Sequence, residues 1–201
     1  MIWWQINTED IMDAGAENPV GDGLAGRRRG EGLFLKVRAA YFGVFTALAL
    51  IFSYVESLIP FHIGMPGVKL GLANLIIVIA LYKMNVKAAY LLSVTRVVLS
   101  GFMFGSLFGI LYSLAGGLLS LTVMAVLKKS NGFSVMGVSI AGGVSHNIGQ
   151  LVVAMLVVET YSVMYYLPVL LTAGLITGLL IGITANEMLK RLAGLRTGFE
   201  G

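Results

Sequence analysis

The sequence predicts an all-α integral membrane protein, a bundle of six transmembrane helices. Three observations carry that reading. Hydrophobic residues make up 57% of the 201 residues and charged ones only 12%, against about 45–50% and 25% in soluble domains. The mean hydropathy is +0.88. From Arg38 onward, apolar runs follow one another at a length of about 20 residues, which is what a helix needs to cross the hydrocarbon layer. A soluble fold of this size cannot hide that much apolar surface, so the lipid bilayer is the main partner of the chain.

The elements follow in order. Residues 1–34 are polar and Gly-rich, hold all three aspartates (Asp10, Asp13, Asp22) and end near Arg27-Arg28-Arg29. They read as a disordered cytoplasmic N-terminal tail, without the basic start and apolar core of a signal peptide. The membrane domain is expected over 35–192, with spans at about 39–59, 66–82, 86–105, 107–127, 134–158 and 162–188, and a cytoplasmic tail over 193–201. The second span is the weakest. Pro60, Gly64, Pro66 and Gly67 interrupt its approach, which predicts irregular backbone covered by protein or lining a wet cavity. Lys36 and Arg38, Lys83 and Lys87, Lys128 and Lys129, and Lys190, Arg191 and Arg196 fall at alternate helix ends, which predicts both termini in the cytoplasm.

Composition also excludes. There is no cysteine, hence no disulfide or thiolate metal site. The formal charge of +4 resides at helix ends and reports topology, so no nucleic-acid partner is expected. No GxxxxGK[ST] loop is present, so ATP hydrolysis would have to come from another protein. No aspartate occurs after Asp22 and the membrane region holds only Glu56, Glu159 and Glu187. The magnesium-holding carboxylate clusters of prenyl-diphosphate chemistry are therefore missing, and neither metal nor cofactor is expected. By itself the chain carries no set of residues for such catalysis.

Four constellations can carry function. The stretch Tyr90–Gly109 places Arg96 inside an apolar helix, a position costing about 3 kcal/mol or more unless it faces a partner or water. Arg96 either grips an anionic ligand or pairs with Glu56 or Glu159. After it, Gly101, Gly105, Gly109, Ser113 and Gly117 recur every fourth position, which predicts one small-residue helix face open to close approach. In Pro66–Asn74, broken backbone precedes Lys69 and Asn74, a cation and an amide next to a helix start able to face an anion. In Ser145–Gln150, His146, Asn147 and Gln150 cluster in one helical turn and must point into the bundle. Further small-residue faces lie on helix one (Ala39, Gly43, Ala47) and on helix six (Gly174, Gly178, Gly182). Together these predict a small anionic ligand held by Lys69, Asn74, Arg96, His146, Asn147 and Gln150 in a common cavity, with the segment Pro60–Lys69 as a lid.

The runs PGVKLGLANL (66–75), TRVVLSGFMFGS (95–106) and SHNIGQL (145–151) resemble the bacterial heptaprenyl diphosphate synthase component I family, also called the Gx transporter family, over residues 38–190. That family is similar in turn to the substrate-binding S components of energy-coupling factor transporters, six-helix uptake proteins. The resemblance implies an S-component-like bundle in the bacterial inner membrane. It also implies that Ala39, Gly43 and Ala47 dock on a transmembrane coupling subunit driven by ATPases. The enzyme name implies the alternative, a non-catalytic membrane component working beside a soluble prenyl diphosphate synthase subunit.

Overall fold

The structure, a computed structural model, describes residues 23–58, 71–159 and 161–194. Six α-helices and one 3₁₀ segment run in chain order, with no strand among the described residues. They are α1 (Gly23–Leu58), α2 (Leu72–Lys83), α3 (Val86–Phe104), α4 (Leu107–Lys129), α5 (Val135–Val158), the 3₁₀ segment Tyr161–Tyr166 and α6 (Leu167–Arg191). The chain forms two compact units, residues 1–40 and 41–201. The first contains the opening of α1, where Leu35, Lys36, Arg38 and Ala39 are exposed.

Among the described residues, five helical segments are long and apolar enough to cross a membrane: Leu35–Leu58, Val86–Phe104, Leu107–Lys129, Val135–Val157 and Tyr161–Arg191. The chain is accordingly a multi-pass membrane protein. The expected second span is shorter than its prediction. Helix α2 has 12 residues, about 18 Å at 1.5 Å per residue, against a hydrocarbon thickness of about 30 Å. It is apolar on all sides, and every residue from Leu75 to Leu81 is buried. A helix hydrophobic all round belongs in a protein interior, and α2 is the core of the bundle, with Ala49, Leu92, Leu121, Met124, Val138 and Ala185 buried in the same cluster.

The starts of α3, α4 and α5 are set by side chains that accept the first free N–H groups. Asn85 Oδ1 accepts from Ala88 N–H at 2.7 Å, Ser106 Oγ from Gly109 N–H at 3.1 Å and Ser134 Oγ from Gly137 N–H at 3.2 Å. The resulting up-and-down course brings the ends of α2 and α4 together, where Lys128 Nζ donates to Leu81 O at 2.6 Å and stands 5.0 Å from the Tyr82 ring centre.

Helix α5 packs most extensively, with α4 on one flank and α6 on the other. Glycines allow it. A Cβ built at Gly178 would meet Ile140 Cα at 2.7 Å, one at Gly182 would meet Met136 Cα at 2.8 Å, and one at Gly149 would meet Ala115 O at 2.9 Å. The glycine face of α6 is thus spent on internal packing.

The small-residue series after Arg96 behaves differently from its prediction. Its members do not share one helix face, because α3 ends at Phe104 and α4 begins at Leu107. The turn at Gly105–Ser106 folds the series back on itself. Gly101, Gly105, Gly109 and Ser113 then line a hollow beside Arg96 instead of a flat docking surface.

Candidate functional site

Arg96 lies ten residues into α3, and at 9% exposure it is the one charged side chain in the buried set among the described residues. Its Nη2 donates to Asn74 Oδ1 on α2 at 3.1 Å and its Nη1 to Ser53 Oγ on α1 at 3.4 Å. Its Nε is buried and has no hydrogen-bond partner. A guanidinium has five N–H donors in a rigid fork, and buried donors left unmatched are costly. The fork is therefore held from two helices and still has a donor to give.

Arg96 lines a cavity of about 140 Å³ together with Ser53, Glu56, Asn74, Ser100 and the small residues of the α3–α4 turn. Glu56, on the last turn of α1, accepts a hydrogen bond from Gly71 N–H at the start of α2. It also interacts electrostatically with Arg96. Gly71 has a left-handed backbone (φ 74°), and a Cβ there would come within 3.1 Å of Ile181 Cδ1. Only glycine fits that conformation without strain.

A second hollow of about 40 Å³ is lined by Asn74, His146, Asn147 and Gln150, with Ser120 and Thr177 among its other polar residues. Asn74 and Gly71 line both hollows. Asn74 and Gly71 therefore stand between the Arg96 chamber and the polar turn of α5. Where the sequence predicts one common cavity, the structure has two chambers that share these two residues. Two of the α5 residues also have packing roles. Asn147 Nδ2 donates to Leu170 O at 2.6 Å, tying α5 to α6. Gln150 is 3% exposed and packs against Gly116, where a Cβ would meet its Cγ at 2.8 Å.

Of the six predicted site residues, the structure thus brings Asn74 and Arg96 together in one chamber and Asn74, His146, Asn147 and Gln150 in the other. Lys69 and the proposed lid Pro60–Lys69 lie outside the described residues. Of the two acids weighed as partners for Arg96, Glu56 faces the same chamber. Glu159 does not line it and is an exposed, left-handed cap at the end of α5. Ser53, Ser100 and Thr177 are not singled out by the sequence. For Ser53 a signal existed, because it stands three residues before Glu56 on α1 and so shares its face. Gly43 and Ala47 are exposed, and a Cβ built at Gly43 meets nothing within 4 Å.

A family model described as heptaprenyl diphosphate synthase component I matches residues 45–188. The match contains every residue that lines the two chambers. No curated protein and no solved structure matches the chain.

Proposed function

The chain belongs to the heptaprenyl diphosphate synthase component I family, and we propose that it is the substrate-binding membrane component of an uptake transporter. In this reading it is an S-component-like bundle of six helices in the bacterial inner membrane, with both termini cytoplasmic. Its ligand is a small molecule with an anionic group. Arg96 is the main charge partner, and Lys69, Asn74, His146, Asn147 and Gln150 complete the site under a lid formed by Pro60–Lys69. Ala39, Gly43 and Ala47 form the face that docks on a transmembrane coupling subunit, itself driven by ATPases.

One observation carries the reading: a buried Arg96 with a spare Nε beside a cavity of about 140 Å³. An arginine kept only for structure would have its donors matched by protein, because burying an unmatched charged donor is costly. A guanidinium that lines a hollow and keeps a donor unmatched is an arrangement that suits a carboxylate or phosphate. The exposure of Gly43 and Ala47 supports the docking face, since small residues let another helix approach closely within lipid.

The test is native mass spectrometry of the gently purified protein. The wild type is expected to retain a small molecule, and Arg96→Ala to lose it while remaining folded. Equal retention by both would refute the assignment of Arg96.

The family description itself favours a second reading, a non-catalytic membrane partner in heptaprenyl diphosphate synthesis. Its carboxylates are too few for chemistry of its own, so a soluble, aspartate-rich synthase subunit would have to supply it. Affinity purification from native membranes separates the two. A coupling subunit with ATPases supports transport, and a soluble synthase supports the alternative.

A further inference from the structure

We infer that the second chamber is a water site, and that its water lies between the polar turn of α5 and the ligand of the Arg96 chamber. The second half rests on the ligand-binding reading above, and the first half stands without it. Three side chains carry the inference. Gln150 and Ser139 of α5 and Ser120 of α4 are each 5% exposed or less, and all three line the chamber. Among the described residues, none of these three side chains has a hydrogen-bond partner. Each can both donate and accept. Buried polar groups inside a lipid-embedded bundle are costly unless something meets their bonds, and neither the surrounding protein nor hydrocarbon does so here.

The space suits water in size as well as in chemistry. Cavities that stay dry are apolar, whereas a polar one takes water once each molecule has about 10–15 Å³ and a few polar partners. At about 40 Å³ the chamber has room for about three molecules and for little else. Gly142 keeps that room, because a Cβ built there would meet Met124 Sδ at 2.5 Å and Ser120 Oγ at 3.2 Å. Two neighbouring donors are already committed to protein. Asn147 Nδ2 donates to Leu170 O at 2.6 Å and Thr177 Oγ1 to Ala173 O at 2.8 Å. The bonds still to be met therefore belong to Gln150, Ser120 and Ser139. Asn74 and Gly71 stand between them and Arg96, so a ligand held by Arg96 meets the amide of Gln150 through water and not directly.

Hydroxyl-radical footprinting of the full chain in detergent, with the radicals made by X-ray radiolysis, uses water itself as the probe. Radicals born from a bound water attack the side chain beside it, and methionine sulfur is readily oxidised. Met124 and Met84 are buried alike, at 4% and 5% exposure, but of the two only Met124 lines the chamber. Met124 is expected to be oxidised several-fold faster than Met84, and equal protection of the two would overturn the water site. Gln150→Leu is expected to bring Met124 down toward the rate of Met84, with Ser120→Val in its place if that variant does not fold. An unchanged Met124 rate in the folded variant would also overturn the site. Comparing the wild type with its retained molecule against Arg96→Ala tests where the water lies. The same Met124 rate in both is the expected result, whereas a slower rate in the loaded wild type would put the ligand itself in the chamber and overturn the water between. The comparison of Met124 with Met84 reads the same whether or not a molecule is retained, so the ligand-binding reading fails separately, on equal retention by wild type and Arg96→Ala.

Discussion

Arg96 was legible from the sequence because lipid punishes an unpartnered cation wherever it lies in the bilayer. The same logic exposed Asn74 and the turn His146–Gln150, since amides and imidazoles inside apolar helices must turn toward protein. Which of them meet was not legible. The distance from Asn74 to Arg96 depends on how α2 is set against α3, and nothing in the spacing of either helix encodes that. Nor could sequence choose between Glu56 and Glu159, which lie near the ends of two different helices. The contact at 3.1 Å between Arg96 Nη2 and Asn74 Oδ1 makes a prediction at this scale. Asn74→Leu removes the acceptor and leaves a buried charged donor unmatched, at a cost of about 1–3 kcal/mol. A lower thermal midpoint in detergent is expected, with recovery in Asn74→Asp. An unchanged midpoint would mean that the bond contributes nothing to the fold.

Helices α3 to α5 could be read from sequence almost to their ends, because length and hydropathy suffice where lipid is the solvent; α6 begins five residues later than expected, after the 3₁₀ segment Tyr161–Tyr166. Helix α2 could not, since a fully buried helix of 12 residues owes its length to its neighbours. The turn at Gly105–Ser106 shows a second limit. A period of four cannot reveal whether small residues stay on one face or fold back through a turn, and here they fold back to clear space beside Arg96. Glycines therefore divide by element. A side chain at Gly178 collides with the backbone of α5, with Ile140 Cα only 2.7 Å from a Cβ, so Gly178→Leu is expected to destabilise by at least the 1–3 kcal/mol typical of overpacking. At Gly43, where a Cβ meets nothing within 4 Å, Gly43→Leu should leave the thermal midpoint of the isolated protein within about 0.5 kcal/mol of the wild type. The same variant should sharply reduce recovery of a coupling subunit from native membranes. A Gly43→Leu protein that unfolds early by itself would remove this face from consideration as a docking surface.

At the scale of the whole molecule, the polar side chains that line the two chambers gather beside Asn74 of α2, away from the exposed apolar surface. Phe102, Met103, Leu107, Phe108 and Leu156 are exposed, as suits surfaces solvated by acyl chains. Tyr161 and Tyr165, each 87% exposed, suit the membrane–water interface. Sequence foresaw this segregation, but it did not foresee that the polar interior divides at Asn74 into two chambers, one charged and one built of amides and imidazole. The central claim is that the charged chamber is a ligand site. An experimental structure of the protein purified with whatever it retains tests that most directly. Density for a small molecule in contact with Arg96 Nε and Asn74 is the predicted result. A chamber closed by a direct two-point ion pair between Arg96 and Glu56, with no room left between them, would contradict the account.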